Sequence, residues 1–162
     1  MVALVTVLFA ASPSASAQVS GIVSGGTRTR GAGLEPYVYV ELALSDGASV
    51  GVDYGRHATG LSFWSGAEGG FYGGAHFTGD SGSLESAELG VWQQYGFGAG
   101  SVASGWVGAK SGIGASTPAS VSFNAQLRHA MTHPFHALVG IGAVVSNVET
   151  DINGWIGIAY QL

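Results

Sequence analysis

The chain has 162 residues, 9% charged and 46% hydrophobic, with 28 glycines, 4 prolines, no cysteine and a net charge of −5. A disulfide framework is excluded, and 5 Lys and Arg in all cannot build a basic surface for a row of phosphates, so nucleic acid is not an expected partner. A soluble domain carries about a quarter charged residues, so much of this surface is expected to face something other than water. No run approaches the ~18–20 uninterrupted apolar residues of a spanning helix.

Residues 1–11, MVALVTVLFAA, form a short apolar core. After it comes Ala15-Ser16-Ala17, the small-x-small pattern at which signal peptidase cleaves, ahead of Gln18. Residues 1–17 are therefore expected to be an export signal, although no Lys or Arg precedes the apolar core. Residues 18–162 form one domain. Within it the hydrophobic pattern has period two almost throughout and period 3.6 nowhere. Strands are predicted at 19–26, 37–44, 48–56, 61–66, 70–78, 86–98, 101–109, 119–131, 135–146 and 153–162.

Between 37 and 55, Val38, Val40, Leu42 and Leu44 alternate with Tyr37, Tyr39, Glu41 and Ala43. Beyond Ser45-Asp46-Gly47, Val50, Val52 and Tyr54 alternate with Ser49, Gly51, Asp53 and Gly55. A three-residue hairpin loop with glycine at its left-handed position would set Leu44 opposite Ala48, Tyr39 opposite Asp53 and Glu41 opposite Gly51. The late hairpin repeats the scheme. Val121, Phe123, Ala125 and Leu127 share one face, and Ser122, Asn124, Gln126 and Arg128 the other. After Thr132-His133-Pro134, pairing Met131 with Phe135 sets Gln126 against Gly140 and Asn124 against Gly142. The chain closes with Ile156, Ile158, Tyr160 and Leu162 on one face of a strand and Trp155, Gly157, Ala159 and Gln161 on the other.

Hydrocarbon offers no partner to a backbone N–H or C=O, so a sheet within it must close on itself and leave no edge. The outward face can then be large and apolar, while the inward face must be small, polar or mutually paired. The expected fold is an all-β, antiparallel, up-and-down transmembrane β-barrel of ten strands, or eight if the weak segment 61–66 merges with a neighbour. Connections tend to alternate between longer (GTRTRGAGLE, TGDSGSLES, KSGIGASTP, NVETDIN) and shorter (SDG, AEG, AG, THP), as in barrels of the bacterial outer membrane. Glu41, Asp53, Asn124, Gln126 and Arg128 are the expected polar lining of the lumen, with Arg128 compensating Glu41 or Asp53.

The last strand resembles the C-terminal strand of bacterial outer-membrane barrels. In that group apolar residues at the last, third-last, fifth-last and seventh-last positions form a recognition signal for the insertion machinery. Leu162, Tyr160, Ile158 and Ile156 occupy them, with Leu where the group usually ends in Phe or Trp. Tyr160 and Trp155 are candidates for an interfacial aromatic girdle. Near the start, Arg30-Gly31, Pro36 and Gly47 resemble the opening of TorF-type porins, in which an Arg-Gly, a Pro and a Gly-containing turn join the first three strands. These resemblances imply an outer-membrane barrel, a narrow porin or a structural envelope protein, in contact with outer-membrane lipid and with the barrel-insertion machinery.

Chemistry is sparse in the sequence. His129, His133 and His136 fall within eight residues, but on neighbouring strands His129 and His136 point to opposite faces, so neither a metal site nor any other cofactor is expected. His57 and His76 are isolated. Lipid A deacylases of the PagL type carry His-x-Ser on a late strand, whereas the comparable place here reads His129-Ala130-Met131. No G-x-S-x-G elbow or phosphate loop occurs, and an enzyme is not expected. The alternatives are a secreted soluble β-barrel holding an apolar ligand, whose large residues would point inward, and a lipid A-modifying barrel enzyme.

Overall fold

The computed structural model describes residues 20–162 apart from 32, 46, 57, 80, 99 and 114–117; the expected export signal lies outside the described residues. Ten strands are formed: β1 (Gly21–Arg30), β2 (Gly33–Ser45), β3 (Ala48–Gly55), β4 (Ala58–Ser65), β5 (Gly69–Thr78), β6 (Leu84–Phe97), β7 (Ser101–Gly112), β8 (Ser120–Thr132), β9 (Phe135–Ser146) and β10 (Thr150–Gln161). Each pairs antiparallel with its sequence neighbours, and β1 pairs with β10, so the sheet is a closed barrel. No strand is left with an unpaired edge, as a hydrocarbon environment demands. Segment 61–66 is an independent strand, extended to Ala58–Ser65, and the eight-strand alternative falls with it.

Closure follows from an alternation that holds on every strand. Val38, Tyr54, Leu61, Phe63, Leu89, Val91, Phe123, Val139, Ile141, Ile156 and Ile158 are exposed on the outside. Their strand neighbours Tyr37, Tyr72, Glu88, Ser122, Leu138 and Ala159 are buried on the inside. The large aliphatic residues thus do not fill a central core, which removes the soluble ligand-binding barrel as an alternative.

The predicted registers hold in both hairpins: Tyr39 faces Asp53, Glu41 faces Gly51, Gln126 faces Gly140 and Asn124 faces Gly142. Two turns depart from expectation. Irregularities between Ala43 and Ser45, and between Ala130 and Thr132, set Ser45 opposite Ala48 in place of Leu44, and Thr132 opposite Phe135 in place of Met131. One extra residue on one strand is absorbed at the turn, so the register farther along is unaffected.

The larger correction concerns the stretch GTRTRGAGLE. It is not a long loop, because β1 runs to Arg30 and β2 starts at Gly33. Its polar residues continue the alternation: Arg28 stands directly opposite Glu35, and Thr27 opposite Pro36. Opposite charges across the pair hold together a hairpin that reads as loop from composition alone. One end of the barrel therefore carries the connections β1–β2, β3–β4, β5–β6, β7–β8 and β9–β10, here called the loop end. The other, the turn end, carries the connections β2–β3, β4–β5, β6–β7 and β8–β9 together with the last residues of β10.

Candidate functional site

Among the described residues, the inside of the barrel holds three hydrogen-bonded clusters of polar side chains around a centre of tryptophan rings. Toward the loop end, Arg28 of β1 donates from Nε to Glu35 Oε1 at 2.7 Å and from Nη1 to Asp53 Oδ2 at 2.5 Å. Its guanidinium carbon lies 5.9 Å from the centre of the Tyr37 ring. The reach from β1 past β2 to β3 crosses Gly55, where a Cβ would collide with the guanidinium. The Glu35 side chain is 4% exposed and that of Asp53 36%. A carboxylate as buried as Glu35 must be paired, and Arg28 is its partner.

A second cluster centres on Glu88 of β6. Tyr72 Oη donates to Glu88 Oε1 at 2.6 Å, the Ser122 hydroxyl donates to the same oxygen, and His76 Nε2 lies 3.3 Å from Oε2. These bonds tie β5 and β6 to β8, which is not their neighbour, so they reach along the inner wall past β7. Gly108 on the intervening β7 leaves the space: a Cβ there would strike the Tyr72 hydroxyl. The cluster contains Ser, His and Glu, yet serine and histidine both address the carboxylate and not each other. A triad needs the imidazole between hydroxyl and acid, so this is a brace and not a nucleophile.

The third cluster lies on β2, β3 and β4. Glu41 accepts from Tyr39 Oη at 3.0 Å and from Ser49 Oγ at 2.7 Å. Trp64 Nε1 donates to Tyr39 Oη and to Ser62 Oγ, each at 3.1 Å.

All four tryptophans of the chain meet inside the barrel. Trp64 stacks on Tyr72 with ring centres 4.9 Å apart, and meets Trp92 and Trp106 edge-on, each at 5.8 Å. Trp106 in turn packs on Trp155 at 5.9 Å. The chain of rings runs from β4 through β7 to β10, so it spans the lumen from wall to wall. Trp155 fits because it lies over Gly140, whose Cβ would fall within the indole, and its Nε1 donates to Gln126 Oε1 at 3.0 Å. Clefts of about 520 and 410 Å³ are on the outer wall and rim, lined by Ile156 and Val139 in the first and by Lys110 and Asn147 in the second.

The predicted lumen residues are therefore placed as follows. Glu41, Asp53 and Gln126 join the clusters and bonds just described. Asn124 lies on the inner wall, where its Oδ1 and that of Asn153 occupy the space left by Gly142. Arg128 is half-buried on the same wall but makes no ion pair among the described residues. Asp53 is paired with Arg28 in place of Arg128; Glu41 accepts from two hydroxyls, and its charge also acts on Arg128 without an ion-pair contact. Arg28 is far closer in the sheet, separated from Asp53 by β2 alone, whereas Arg128 stands on the opposite wall. Trp155 is an interior residue and not part of an outer girdle; Tyr160 is on the outside, 5.4 Å from Phe135 between ring centres. Ile156, Ile158 and Tyr160 share the outer face, and the Leu162 N–H, just past β10, donates to the Gly21 carbonyl at 2.9 Å. His129 lies outside, His136 inside, and His133 in the turn, so the three imidazoles do not converge. His57 is not described, and His76 belongs to the Glu88 cluster.

Sequence reasoning missed the aromatic centre, although the parity of the strands carries it. Trp92 shares a face with Glu88, Gly90 and Gln94, and Trp106 with Ser104, Gly108 and Lys110, which are the polar and glycine faces of β6 and β7. An inner face limited to small and polar side chains was too narrow an expectation. Glycines on neighbouring strands make room for large rings as well as for amides.

No protein-family model matches the chain, and no curated protein matches its sequence. Solved structures do match in fold. A NanC porin superposes with a TM-score of 0.57 at 11% identity, covering 88% of this chain and 100% of that one. The Yersinia pestis outer membrane protein Ail, studied in phospholipid bilayer nanodiscs, gives a TM-score of 0.51 at 10% identity over 90% of this chain and 100% of its own. At such identities the likeness is one of fold: a closed barrel of the architecture used by small outer-membrane proteins.

Proposed function

We propose that this chain is a β-barrel of the bacterial outer membrane whose lumen is closed in its resting state, a structural envelope protein and not an open porin. The observation that carries this reading is the tryptophan chain Trp64–Trp106–Trp155 inside a wall whose outer face is apolar. An apolar belt of closed antiparallel strands suits hydrocarbon, and eight of the ten strands, with 10 to 14 residues each, reach the ~9–11 that cross it at a tilt. The C-terminal residues Ile156, Ile158, Tyr160 and Leu162 would be read by the insertion machinery, and residues 1–17 would direct export. The TorF-like opening fits the same envelope setting. Arg30 ends β1 with Gly31 just beyond it, Gly47 lies in the second turn, and Pro36 is exposed on the outer face.

A narrow pore remains the second form of the reading, since charged groups at Arg28 and Asp53 line the loop-end half. Conduction would require the rings to move. Two measurements test the proposal together. Unheated protein should migrate differently from boiled protein on a gel and fractionate with the outer membrane. In planar bilayers the wild type should give no conductance steps, while Trp106→Ala should give them; steady conductance by the wild type would refute the closed lumen.

A further inference from the structure

The outer wall is not uniformly ridged. On one row of paired residues, Gly25 of β1, Ile158 of β10, Ala137 of β9, His129 of β8 and Ser101 of β7 stand side by side across five strands. Gly25 and Ala137 leave the row low. The next row toward the loop end carries Ile156, Val139 and Leu127, and the next toward the turn end carries the Phe135–Tyr160 aromatic pair. The low row and its loop-end neighbour together form an open cleft of about 520 Å³ on the outer wall, lined among others by Gly25, Thr27, Leu127, Ala137 and Ile156. It is apolar along its length and polar at one end. There His129 lines the cleft; just beyond the lining the Ser101 hydroxyl lies 2.8 Å from His129 Nδ1, both on the outside of the barrel, with no protein partner for His129 Nε2 among the described residues.

A Ser–His pair facing outward is unexpected on a wall otherwise made for hydrocarbon, since an unpaired donor there is costly. Its position beside the aromatic pair puts it where a membrane's ester and headgroup layer begins. We infer that the cleft holds one glycerophospholipid of the leaflet at the turn end, with an acyl chain along Gly25 and Ala137 and its phosphate accepting a hydrogen bond from His129 Nε2, the tautomer set by the Ser101 hydroxyl donating to Nδ1. Apolar groove and imidazole donor match the two halves of such a molecule, which neither a hydrocarbon chain nor a free phosphate would satisfy alone. This inference rests on the membrane-spanning reading above.

Native mass spectrometry of the full barrel in mild detergent, titrated with palmitoyl-oleoyl phosphatidylethanolamine, tests it. The wild type should retain one lipid. Ala137→Leu, which fills the groove, and His129→Leu, which removes the donor, should each weaken binding by roughly tenfold or more, the scale of one charge-assisted hydrogen bond. Ile141→Ala, elsewhere on the wall, should leave it unchanged. The corresponding diacylglycerol, lacking phosphate, should bind the wild type as weakly as the phospholipid binds His129→Leu. Equal retention by all variants, or by phospholipid and diacylglycerol, would overturn the inference. Heat-modifiable migration of each variant, measured alongside, separates these outcomes: a barrel that migrates normally yet binds no lipid refutes the site alone, and loss of heat-modifiability in the wild type refutes the membrane reading beneath it.

Discussion

Arg28→Met removes the one cation that Glu35 and Asp53 share, and the cost can be worked from their exposure. Breaking a buried ion pair from one side costs about 3–5 kcal/mol, because the abandoned charge stays desolvated. Glu35, at 4% exposure, meets that condition, and its Oε2 already lacks a protein partner. Asp53, at 36%, can be hydrated on losing Arg28 and should add less than ~1 kcal/mol. The methionine keeps most of the stem packing against Tyr37, so the expected loss is ~3–4 kcal/mol, set mainly by Glu35. The assay is urea unfolding in lipid vesicles, followed by tryptophan fluorescence, which the four interior indoles make sensitive to opening of the barrel. In Arg28→Met/Glu35→Gln the buried charge is gone, and most of the loss should be recovered, leaving a coupling energy of ~2 kcal/mol or more. Arg128→Met, at a site without an ion pair among the described residues, should cost less than ~1 kcal/mol. If Arg128→Met were as damaging as Arg28→Met, or if the double variant were no better than the single one, the assignment of Arg28 as the interior counter-ion would be wrong.

The remaining predictions concern the two faces of the wall. Gly140→Val drives a side chain into the Trp155 ring and should destabilise the barrel by ~3 kcal/mol or more and shift the tryptophan emission, whereas Gly96→Val, with open space at its Cβ, should cost little. Tyr72→Phe deletes one of three donors to Glu88 and should cost about 1.5–3 kcal/mol in the same unfolding assay; a neutral result would mean that the phenol is not bonded to the acid. Ile141→Arg, at 60% exposure midway along β9, should cost roughly 2–4 kcal/mol in vesicles, the depth-dependent penalty of a cation on the lipid face. An Ile141→Arg barrel as stable as the parent would place this face in water.

What was legible in the sequence was what depends on two or three neighbouring residues. The alternation of Val38, Val40 and Leu42 with Tyr37, Tyr39 and Glu41 fixed the faces of β2, and the glycines opposite Gln126 and Asn124 fixed the late register, because a one-residue slip would turn every side chain to the wrong face. Turn positions were less legible, since a single extra residue at Leu44 or Met131 is absorbed locally without disturbing that parity.

The interior partnerships belong to the tertiary structure alone. Whether Arg28 or Arg128 meets Asp53, and whether Trp64, Trp106 and Trp155 touch, depends on how far the strands are staggered when β1 closes on β10. That stagger is a property of the whole cylinder and leaves no trace in any one strand. The amino-acid sequence therefore determined which side chains face inward and which outward, as a period-two pattern must. Only closure decided which inward groups meet across the lumen, because residues on strands that are not neighbours, such as Trp64 and Trp106 or Trp106 and Trp155, are brought into contact there by the curvature of the closed wall and not by their place along the chain.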